Sequence, residues 1–424
     1  MGHHREVQIR EEKFEFTDKA KRFTFMLMGI GILFALIGYL TYHPAEHELV
    51  LKRFLASILF NAYFFFIIAA CSILFIAISQ IANAGWYVAI RRIPEAISRF
   101  MPIGAGVIIL ILIFFLPTLY HWAHHGVMET DPTLMKKTWY LNKPFFYFRV
   151  IAFPAFWIWV ALKIRNYSQN EDEVGGLVNF DKSFRISAAF VLIFAFTFSM
   201  FAWDVAMSID AHWYSTIFTI YNFATGWVSA LTAIYLLLWF LRSNGYLKDV
   251  VTDEHQHDLG KFMFAFSVFW TYMWTAQFVL IWYANIPEEV AYYRDRLWGS
   301  YKFYFYFNLF MNFIIPFFLF MKRSSKRNKT MGIFVGTCIL IGHWNDVYLM
   351  VMPGALNIAA EITEHNPTGI IETPSQGIGF MEIGFLCLFA GLFLFMTLAG
   401  LAKANLYPTK HPYIIESALH DTGV

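Results

Sequence analysis

The sequence predicts an all-α polytopic membrane protein with about ten transmembrane helices. Of its 424 residues, 58% are hydrophobic and only 15% are charged, against about 25% charged in an ordinary soluble domain. Ten runs are also long and apolar enough to cross a bilayer, which takes roughly 20 residues. These runs, called spans 1 to 10, cover residues 23–42, 54–88, 101–120, 145–164, 184–203, 217–241, 261–285, 302–321, 331–352 and 378–399. Since no basic stripe with interleaved aromatics is present, nucleic acid is not an expected partner.

Charge asymmetry predicts the orientation of the spans. An even number of spans puts both termini on one side, which receives 23 Lys and Arg residues, while the opposite side receives 8. Cytoplasmic links carry such an excess, so we expect both termini in the cytoplasm. The polar segment 1–22 is too long for a cleavable signal, and span 1 is therefore expected to be retained. Span 2 is too long for a simple crossing, and its ends are expected to extend into the interface or a neighbouring subunit.

The cysteines and histidines predict no cofactor bound by this chain. Cys71, Cys338 and Cys387 stand alone in apolar runs without a C-x-x-C pattern, which argues against an iron–sulfur cluster or c-type haem. A membrane b-type haem would need two histidines within spans, and only His343 clearly lies inside one.

An internal repeat predicts two parallel four-helix bundles. Residues 139–148 match 298–307 at five of ten positions, and four identities at an offset of 158 link span 2 to span 6. The repeated spans lie four apart and run in the same direction, as in repeats related by an axis along the membrane normal. The predicted parts are a cytoplasmic segment 1–22, span 1 with its link 23–53, a first bundle 54–203, an outer loop 204–216, a second bundle 217–352, an outer loop with span 10 at 353–399, and a cytoplasmic tail 400–424.

The outer end of span 5 concentrates polar residues in the stretch FAWDVAMSIDAHWYSTIF, residues 201–218. Asp204, Asp210 and His212 lie here, and a histidine near a carboxylate can titrate close to neutral pH. The cluster could pass protons outward. A metal site is the alternative here and at His121, His124 and His125, but no third ligand at a fixed spacing accompanies Asp-x-His, so solvated histidines or histidines in subunit contacts are the default.

Three ionisable residues fall within spans, where they face a partner or a watery cavity. They are Asp346, His343 and Glu382. His343 and Asp346 are separated by three residues and share a helix face, so they form either a proton relay or a structural pair that joins span 9 to a neighbour. Trp203-Asp204-Val205 resembles Trp344-Asn345-Asp346-Val347, which predicts that Asp204 and Asp346 occupy corresponding places.

A buried arginine in span 4 needs a compensating group. For Arg149 the nearest carboxylates by depth are Asp204 and Asp346, and a structural salt bridge is the favoured use. Other polar side chains within spans can hold water or bond between helices: Tyr221, Asn222, Gln277, Asn308 and Asn312.

Three motifs resemble one family. Trp203–Phe218, His257–Lys261 and Gln277–Glu289 are similar to the polysulfide-reductase-type (NrfD-like) membrane subunits of bacterial alternative complex III, and the resemblance covers nearly the whole chain. That complex is a quinol:electron-acceptor oxidoreductase with two related ten-span subunits. One holds the quinol site beside an iron–sulfur subunit, and the other, the F subunit, is thought to offer a proton path. The stretch Tyr407–Ser417 looks more like the F subunit.

The resemblance implies a non-redox subunit in the bacterial inner membrane. Its implied partners are the homologous quinol-binding subunit, an iron–sulfur subunit, multihaem cytochrome c subunits and the lipid bilayer. Quinol would be the substrate of the complex, while iron–sulfur clusters and haem c would lie in partner subunits. The proton-path candidates are Asp346, His343, Asp204, Asp210, His212 and Glu382.

Two other functions remain open. In the quinol-binding subunit of the same complex, a quinone would contact Asp204, His212 or Arg149. A secondary transporter is the other alternative, since buried carboxylates and parallel bundles occur there too. Such transporters often break helices with Gly and Pro near the midplane, whereas Pro117, Pro154 and Pro316 lack a paired glycine break.

Overall fold

The computed structural model describes residues 9–41, 47–356 and 377–421, and within these ranges the chain is helical without a β-sheet. Ten of its helices are long and apolar enough to cross a membrane. They are Asp18–Leu40, Glu48–Ile81, Arg92–Leu119, Lys143–Val174, Val178–Val205, Ile217–Ser243, Asp253–Ala284, Gly299–Phe320, Lys329–Leu356 and Phe380–Leu401. The all-α, multi-pass fold class is confirmed.

Several helices extend beyond the apolar runs that predicted them. Span 4 continues to Val174, and span 7 begins at Asp253. Local caps define these ends: the Asn142 side chain accepts a hydrogen bond from the backbone N–H of Phe145, and Thr252 forms a capping box with His255. Hydropathy marks the part of a helix that lies in lipid, whereas the caps decide where the helix begins.

The apolar run predicted as span 2 is not one continuous helix. The helix ends at Ile81, Asn83 adopts a left-handed conformation with φ 49°, and Gly85–Ile90 forms a separate 3₁₀ turn. A Cβ on Gly85 would lie 2.2 Å from the Glu416 side chain. The residues beyond Ile81 therefore pack against the chain's own C-terminal segment.

The spans form two rings of four helices. Spans 2, 3, 4 and 5 contact one another in cyclic order, and spans 6, 7, 8 and 9 do the same. The rings meet where span 2 contacts spans 6 and 9 and where span 5 contacts span 6. In the repeat, span 2 corresponds to span 6 and span 9 corresponds to span 5. The contact of span 2 with span 9 therefore has its counterpart in the contact of span 6 with span 5, as a pseudo-twofold relation requires. The predicted four-plus-four arrangement with two extra helices is confirmed.

The two extra helices, spans 1 and 10, form a close pair beside the first bundle. A Cβ on Gly31 would lie 2.5 Å from the Leu388 backbone nitrogen, and one on Gly384 would lie 2.4 Å from that of Ala35. Small residues let membrane helices approach backbone to backbone. Span 10 also contacts spans 2 and 3, which joins the pair to the bundle.

Both described terminal segments lie at one end of the bundles, called here the terminal side. The Leu406 amide donates to the Glu12 carbonyl oxygen at 2.8 Å, and the Ala89 amide donates to Ser417 Oγ at 3.0 Å. The other end, called the opposite side, carries the short helices Val127–Thr130, Pro132–Met135 and Pro287–Leu297. Residues 1–8, 42–46, 357–376 and 422–424, including most of the predicted outer loop 353–377, lie outside the described residues.

Candidate functional site

Asp346 lies at the centre of a buried polar cluster in the second bundle. It follows Lys329 by 17 residues, about 26 Å along the helix at 1.5 Å per residue, and its side chain is fully buried. Its Oδ2 accepts from Thr225 Oγ1 at 2.6 Å and Trp270 Nε1 at 3.0 Å. Its Oδ1 accepts from Asn308 Nδ2 at 2.6 Å and from the Tyr221 hydroxyl. Spans 6, 7 and 8 thus converge on one carboxylate of span 9.

The donors of Asp346 are electrically neutral. In the part of the chain that the structure describes, no Lys or Arg is among its hydrogen-bond or ion-pair partners. Trp270 and Asn308 can only donate through their N–H groups, whereas the hydroxyls of Tyr221 and Thr225 can donate or accept. The hydrogen bonds therefore support the carboxylate without supplying a fixed countercharge.

Thr225 gives the cluster a way to accommodate both protonation states of Asp346. Its Oγ1 lies 2.6 Å from Asp346 Oδ2 and 3.2 Å from the carbonyl oxygen of Tyr221. With an ionised carboxylate, the hydroxyl donates to Asp346. With a protonated carboxyl group, Asp346 can donate to Thr225, whose hydroxyl then donates to the carbonyl oxygen. Neither state leaves the hydroxyl without an acceptor.

His343 lies next to this carboxylate, one turn closer to the terminal side. Its Nδ1 is 4.0 Å from Asp346 Oδ2, and its ring packs edge-on against Trp270 with centroids 5.5 Å apart. The imidazole is fully buried, and neither ring nitrogen has a hydrogen-bond partner in the described ranges. The structure thus brings together the His343 and Asp346 pair that the helical spacing predicts.

A local change in helix geometry places Asn312 beside the same cluster. Residues Phe310–Ile314 form a π-helical turn, a feature frequent at functional sites. Asn312 Nδ2 donates to Asn308 Oδ1 at 2.7 Å. Gly342 makes room for it, since a Cβ there would lie 2.2 Å from Asn312 Oδ1. The hydrogen-bond chain therefore continues from Asp346 through Asn308 to Asn312.

Several buried polar atoms of the second bundle have no hydrogen-bond partner within the described part of the chain. They are both ring nitrogens of His343, Oδ1 of Asn312, Oγ of Ser267 and both amide atoms of Gln277. Buried polar groups are ordinarily paired with protein or ordered water, and buried waters typically make about three hydrogen bonds. The unpaired atoms of His343 and Asn312 adjoin the Asp346 cluster, and ordered water could bind there.

The first bundle contains a different arrangement at Asp204. Arg149 Nε donates to Asp204 Oδ2 at 2.7 Å and Arg149 Nη2 donates to Oδ1 at 2.8 Å, with both residues fully buried. The guanidinium also stacks 3.8 Å from the ring centroid of Tyr140. Of the two carboxylates considered for Arg149, the structure selects Asp204. A bidentate pair of this kind holds Asp204 as a fixed ion pair.

Glu382 also lies in a fixed ion pair, at the joint between spans 10 and 2. Its Oε1 accepts from Arg53 Nε at 2.6 Å and from Ser57 Oγ at 3.2 Å, and its Oε2 accepts from the Gly379 amide at 2.7 Å. The glutamate thus caps its own helix and fastens it to span 2. These contacts favour a structural role for Glu382.

His212 pairs with the loop between spans 3 and 4, not with nearby Asp210. Its Nε2 lies 2.6 Å from Asp131 Oδ2, and the hydrogen bond from His212 is the largest cause that lowers the pKa of Asp131 to about 2. Burial lowers the pKa of His121, whose ring is 5.9 Å from that of His212. Within the described ranges, no group of three His, Cys, Asp or Glu residues is arranged to hold a metal ion.

Asp210 is influenced by the charge of Arg296 and, more weakly, by that of His212. Burial raises the pKa of Asp210, and the positive charge of Arg296 opposes the rise. Arg296 covers the ring of Tyr292 at 3.3 Å from its centroid, and Tyr292 stacks on Trp213 at 3.9 Å. The pKa of Tyr292 is raised to about 12, mainly by burial, with Arg296 opposing the rise and the carboxylates of Asp346 and Asp210 contributing to it. Tyr292 is thus within electrostatic reach of both carboxylates.

Sequence reasoning missed two members of the Asp346 cluster, Thr225 and Trp270. Both stand in apolar runs, where threonine and tryptophan are common packing residues. A signal for Thr225 was present, because it lies four residues after Tyr221 and shares its helix face. Trp270 had no such signal, since its N–H finds its acceptor only in the packed bundle.

The most apolar groove of the described residues lies away from the Asp346 cluster. A membrane-facing groove of about 780 Å³ runs between the pair of spans 1 and 10 and the spans 2, 6 and 9. Its walls are mainly apolar, with Phe64, Phe65, Leu237, Phe240 and Phe393 among them. Such a groove suits lipid tails. The lining of this groove does not include Asp346 or its hydrogen-bond donors.

No family model matches this chain, and no curated protein matches it.

Proposed function

We propose that this protein is a proton-conducting and scaffolding membrane subunit of a quinol:electron-acceptor oxidoreductase of the alternative complex III type, with Asp346 as its central proton carrier. The observation that carries the proton-path part is the Asp346 cluster: a fully buried carboxylate with four neutral donors and no cationic partner among the described residues. An ionised group in hydrocarbon is costly unless it is paired. Asp346 is therefore suited to take up and release a proton.

Each proposed proton step changes a hydrogen bond of the Thr225 hydroxyl, which lies 2.6 Å from Asp346 Oδ2. When Asp346 gains a proton, its O–H donates to Thr225 and the Thr225 hydroxyl turns toward the carbonyl oxygen of Tyr221, 3.2 Å away. When the proton leaves, the hydroxyl turns back to the carboxylate. Only hydrogen bonds reorganise, and the helices keep their places.

Polar groups extend from Asp346 toward both sides of the membrane. On the terminal side, His343, Asn312 and Ser267 supply buried atoms without protein partners, which ordered waters would bridge. On the opposite side, the Tyr221 hydroxyl donates to Asp346. The charges of both Asp346 and Asp210 contribute to the raised pKa of Tyr292. The proposed path therefore runs from the His343 side through Asp346 to the Tyr292 and Asp210 side.

The respiratory part of the proposal rests on three motifs that resemble the membrane subunits of alternative complex III. They are Trp203–Phe218, His257–Lys261 and Gln277–Glu289. Electrons from quinol would pass through iron–sulfur and multihaem cytochrome c subunits, beside a homologous quinol-binding subunit. The fixed Arg149–Asp204 pair and the surface pair of His212 support assigning quinol binding to that partner subunit. The proposed location is the bacterial inner membrane with both termini in the cytoplasm, as the Lys and Arg bias indicates.

Affinity purification tests the assignment to a complex. A tag on this chain, in cells that oxidise quinol through such a complex, should recover subunits with haem c and iron–sulfur spectra. The control is the same tag on an unrelated ten-span protein. Recovery of the chain without haem-bearing and iron–sulfur partners, from membranes with an active complex, would overturn the assignment.

A further inference from the structure

A second cavity, on the terminal side, has a composition unlike that of the apolar groove. It has a volume of about 500 Å³ and lies between spans 3, 4 and 10. Its lining contains three cations and no acidic residue. The lining residues are Ser98, Arg99, Pro102, Ile158, Ala161, Leu162, Arg165, Asn166, Gln169, Met396 and Lys403. The cavity is called the basic pocket below.

The three cations come from three different elements and converge on this pocket. Arg99 lies near the start of span 3, Arg165 lies on span 4, and Lys403 follows span 10. Arg165 Nη2 donates to the carbonyl oxygen of Gly400 at 3.2 Å. A Cβ on Gly400 would lie 2.7 Å from Arg99 Cδ, so the missing side chain lets Arg99 lie flat against span 10. The fold therefore holds like charges together.

Part of this positive charge has no partner among the residues that the structure describes. Arg99 Nη1 is buried without a hydrogen-bond acceptor. The neighbouring carboxylate of Glu95 is bound to Arg91 at 3.1 Å and to Arg92 at 3.2 Å. Like charges that share a low-dielectric pocket repel one another, and an anion placed between them would remove that repulsion.

The walls of the basic pocket are amphipathic. Ser98, Asn166 and Gln169 lie with the cations, while Ile158, Leu162 and Met396 continue the pocket toward the membrane-facing surface. Leu162 is 55% exposed on that surface. A ligand that fits both parts has an anionic head and an apolar tail.

We propose that the basic pocket binds an anionic phospholipid of the bilayer, with its phosphate against Arg99, Arg165 and Lys403 and its acyl chains along Ile158, Leu162 and Met396. Basic pockets between transmembrane helices bind lipid headgroups in this way. The lipid would add to the contacts that fasten span 10 to the first bundle near Gly400. This proposal is independent of the respiratory function.

Native mass spectrometry of the full-length chain tests the proposal. The protein is released from nanodiscs of phosphatidylcholine with or without phosphatidylglycerol, and the lipid retained per chain is counted. Each basic residue near a membrane surface contributes about 1 kcal/mol to anionic lipid binding, or about fivefold. We expect wild type to retain phosphatidylglycerol, Lys403→Gln to weaken retention about fivefold, and Arg99→Gln/Arg165→Gln to weaken it about 25-fold.

The matched control is Lys163→Gln, because Lys163 is exposed on span 4 two residues from Arg165 and does not line the pocket. It should retain lipid as wild type does. If the double variant does not fold, lipid retention by Lys403→Gln is compared with that of wild type. The Lys403 side chain is exposed, so its replacement should not disturb folding. Equal retention of phosphatidylcholine, or full retention in Lys403→Gln, overturns the proposal. Displacement of phosphatidylglycerol by inorganic phosphate alone also overturns it, in favour of a free-phosphate site.

Discussion

The side-chain amide of Asn308 donates a hydrogen bond to Asp346 at 2.6 Å. In the internal repeat at an offset of 159, Asn308 occupies in span 8 the position that Arg149 occupies in span 4. Arg149 binds Asp204 through two charged hydrogen bonds. The two bundles thus have a carboxylate at corresponding positions. In the first bundle it forms a fixed ion pair, and in the second it accepts hydrogen bonds from neutral donors. This difference is the basis for proposing a structural role for Asp204 and proton transfer for Asp346.

Replacing Asp346 with Asn should stop proton transfer while the bundle stays folded. Asn keeps the shape and one acceptor oxygen but cannot carry the proton. We expect a loss of about 100-fold in proton translocation, the scale of one general acid–base group, measured with a pH-sensitive dye in liposomes that contain the intact complex. Asp253→Asn is the control, since Asp253 forms only a surface pair with Arg242. Unchanged turnover and proton-to-electron ratio in Asp346→Asn would remove Asp346 from the path.

Replacing Arg149 alone should be more damaging than removing the whole Arg149–Asp204 pair. Arg149→Leu leaves the buried Asp204 charge without its partner, which costs about 3–5 kcal/mol. In Arg149→Leu/Asp204→Leu neither member of this pair leaves an unpaired buried charge. Most of the stability lost in Arg149→Leu should therefore be recovered. The measurement is the thermal midpoint of the purified protein. A double variant as unstable as the sum of the two single variants would contradict the coupling.

Replacing Glu382 with Gln should destabilise the protein without blocking proton transfer. The substitution breaks the buried pair with Arg53, at a cost of about 3–5 kcal/mol, so the thermal midpoint should fall. Proton translocation per assembled complex should stay at the wild-type level. Glu48→Gln is the matched control, because Glu48 forms an exposed pair with Lys52 of little energetic value. A Glu382→Gln complex with normal stability and no proton translocation would place Glu382 on the path.

The His212–Asp131 pair should make the opposite-side loop sensitive to acid. The pKa of Asp131 is lowered from its ordinary value of 3.8 to about 2, so its ionised form is favoured in the folded state. This stabilisation is present above pH of about 4 and is lost as pH falls toward 2. The difference in thermal midpoint between wild type and Asp131→Asn should therefore shrink over this interval. A difference that persists unchanged to pH 2 would rule out the pair as its cause.

Much of the fold could be predicted because it depends on local sequence. Each span must supply about 20 apolar residues to the bilayer, and this property can be read without knowing any neighbour. The repeat likewise predicted two bundles, since spans 2 and 6 and spans 4 and 8 carry matching residues. The predicted end of span 2 at residue 88 was too late, because the helix ends at Ile81. The residues from Asn83 onward are apolar enough to continue a span, so hydropathy did not indicate the turn there.

The sequence by itself determined the ten spans, the two bundles and the buried ionisable residues, whereas only the tertiary structure decided which groups those residues meet. Arg149 had two possible carboxylates, and the packing of span 4 on span 5 selected Asp204. His212 lies two residues from Asp210 but binds Asp131, 81 residues away. Asp346 acquires Thr225 and Trp270 from two other spans. A hydrogen bond forms wherever packing brings two side chains within about 3 Å, and separation along the chain does not predict that meeting.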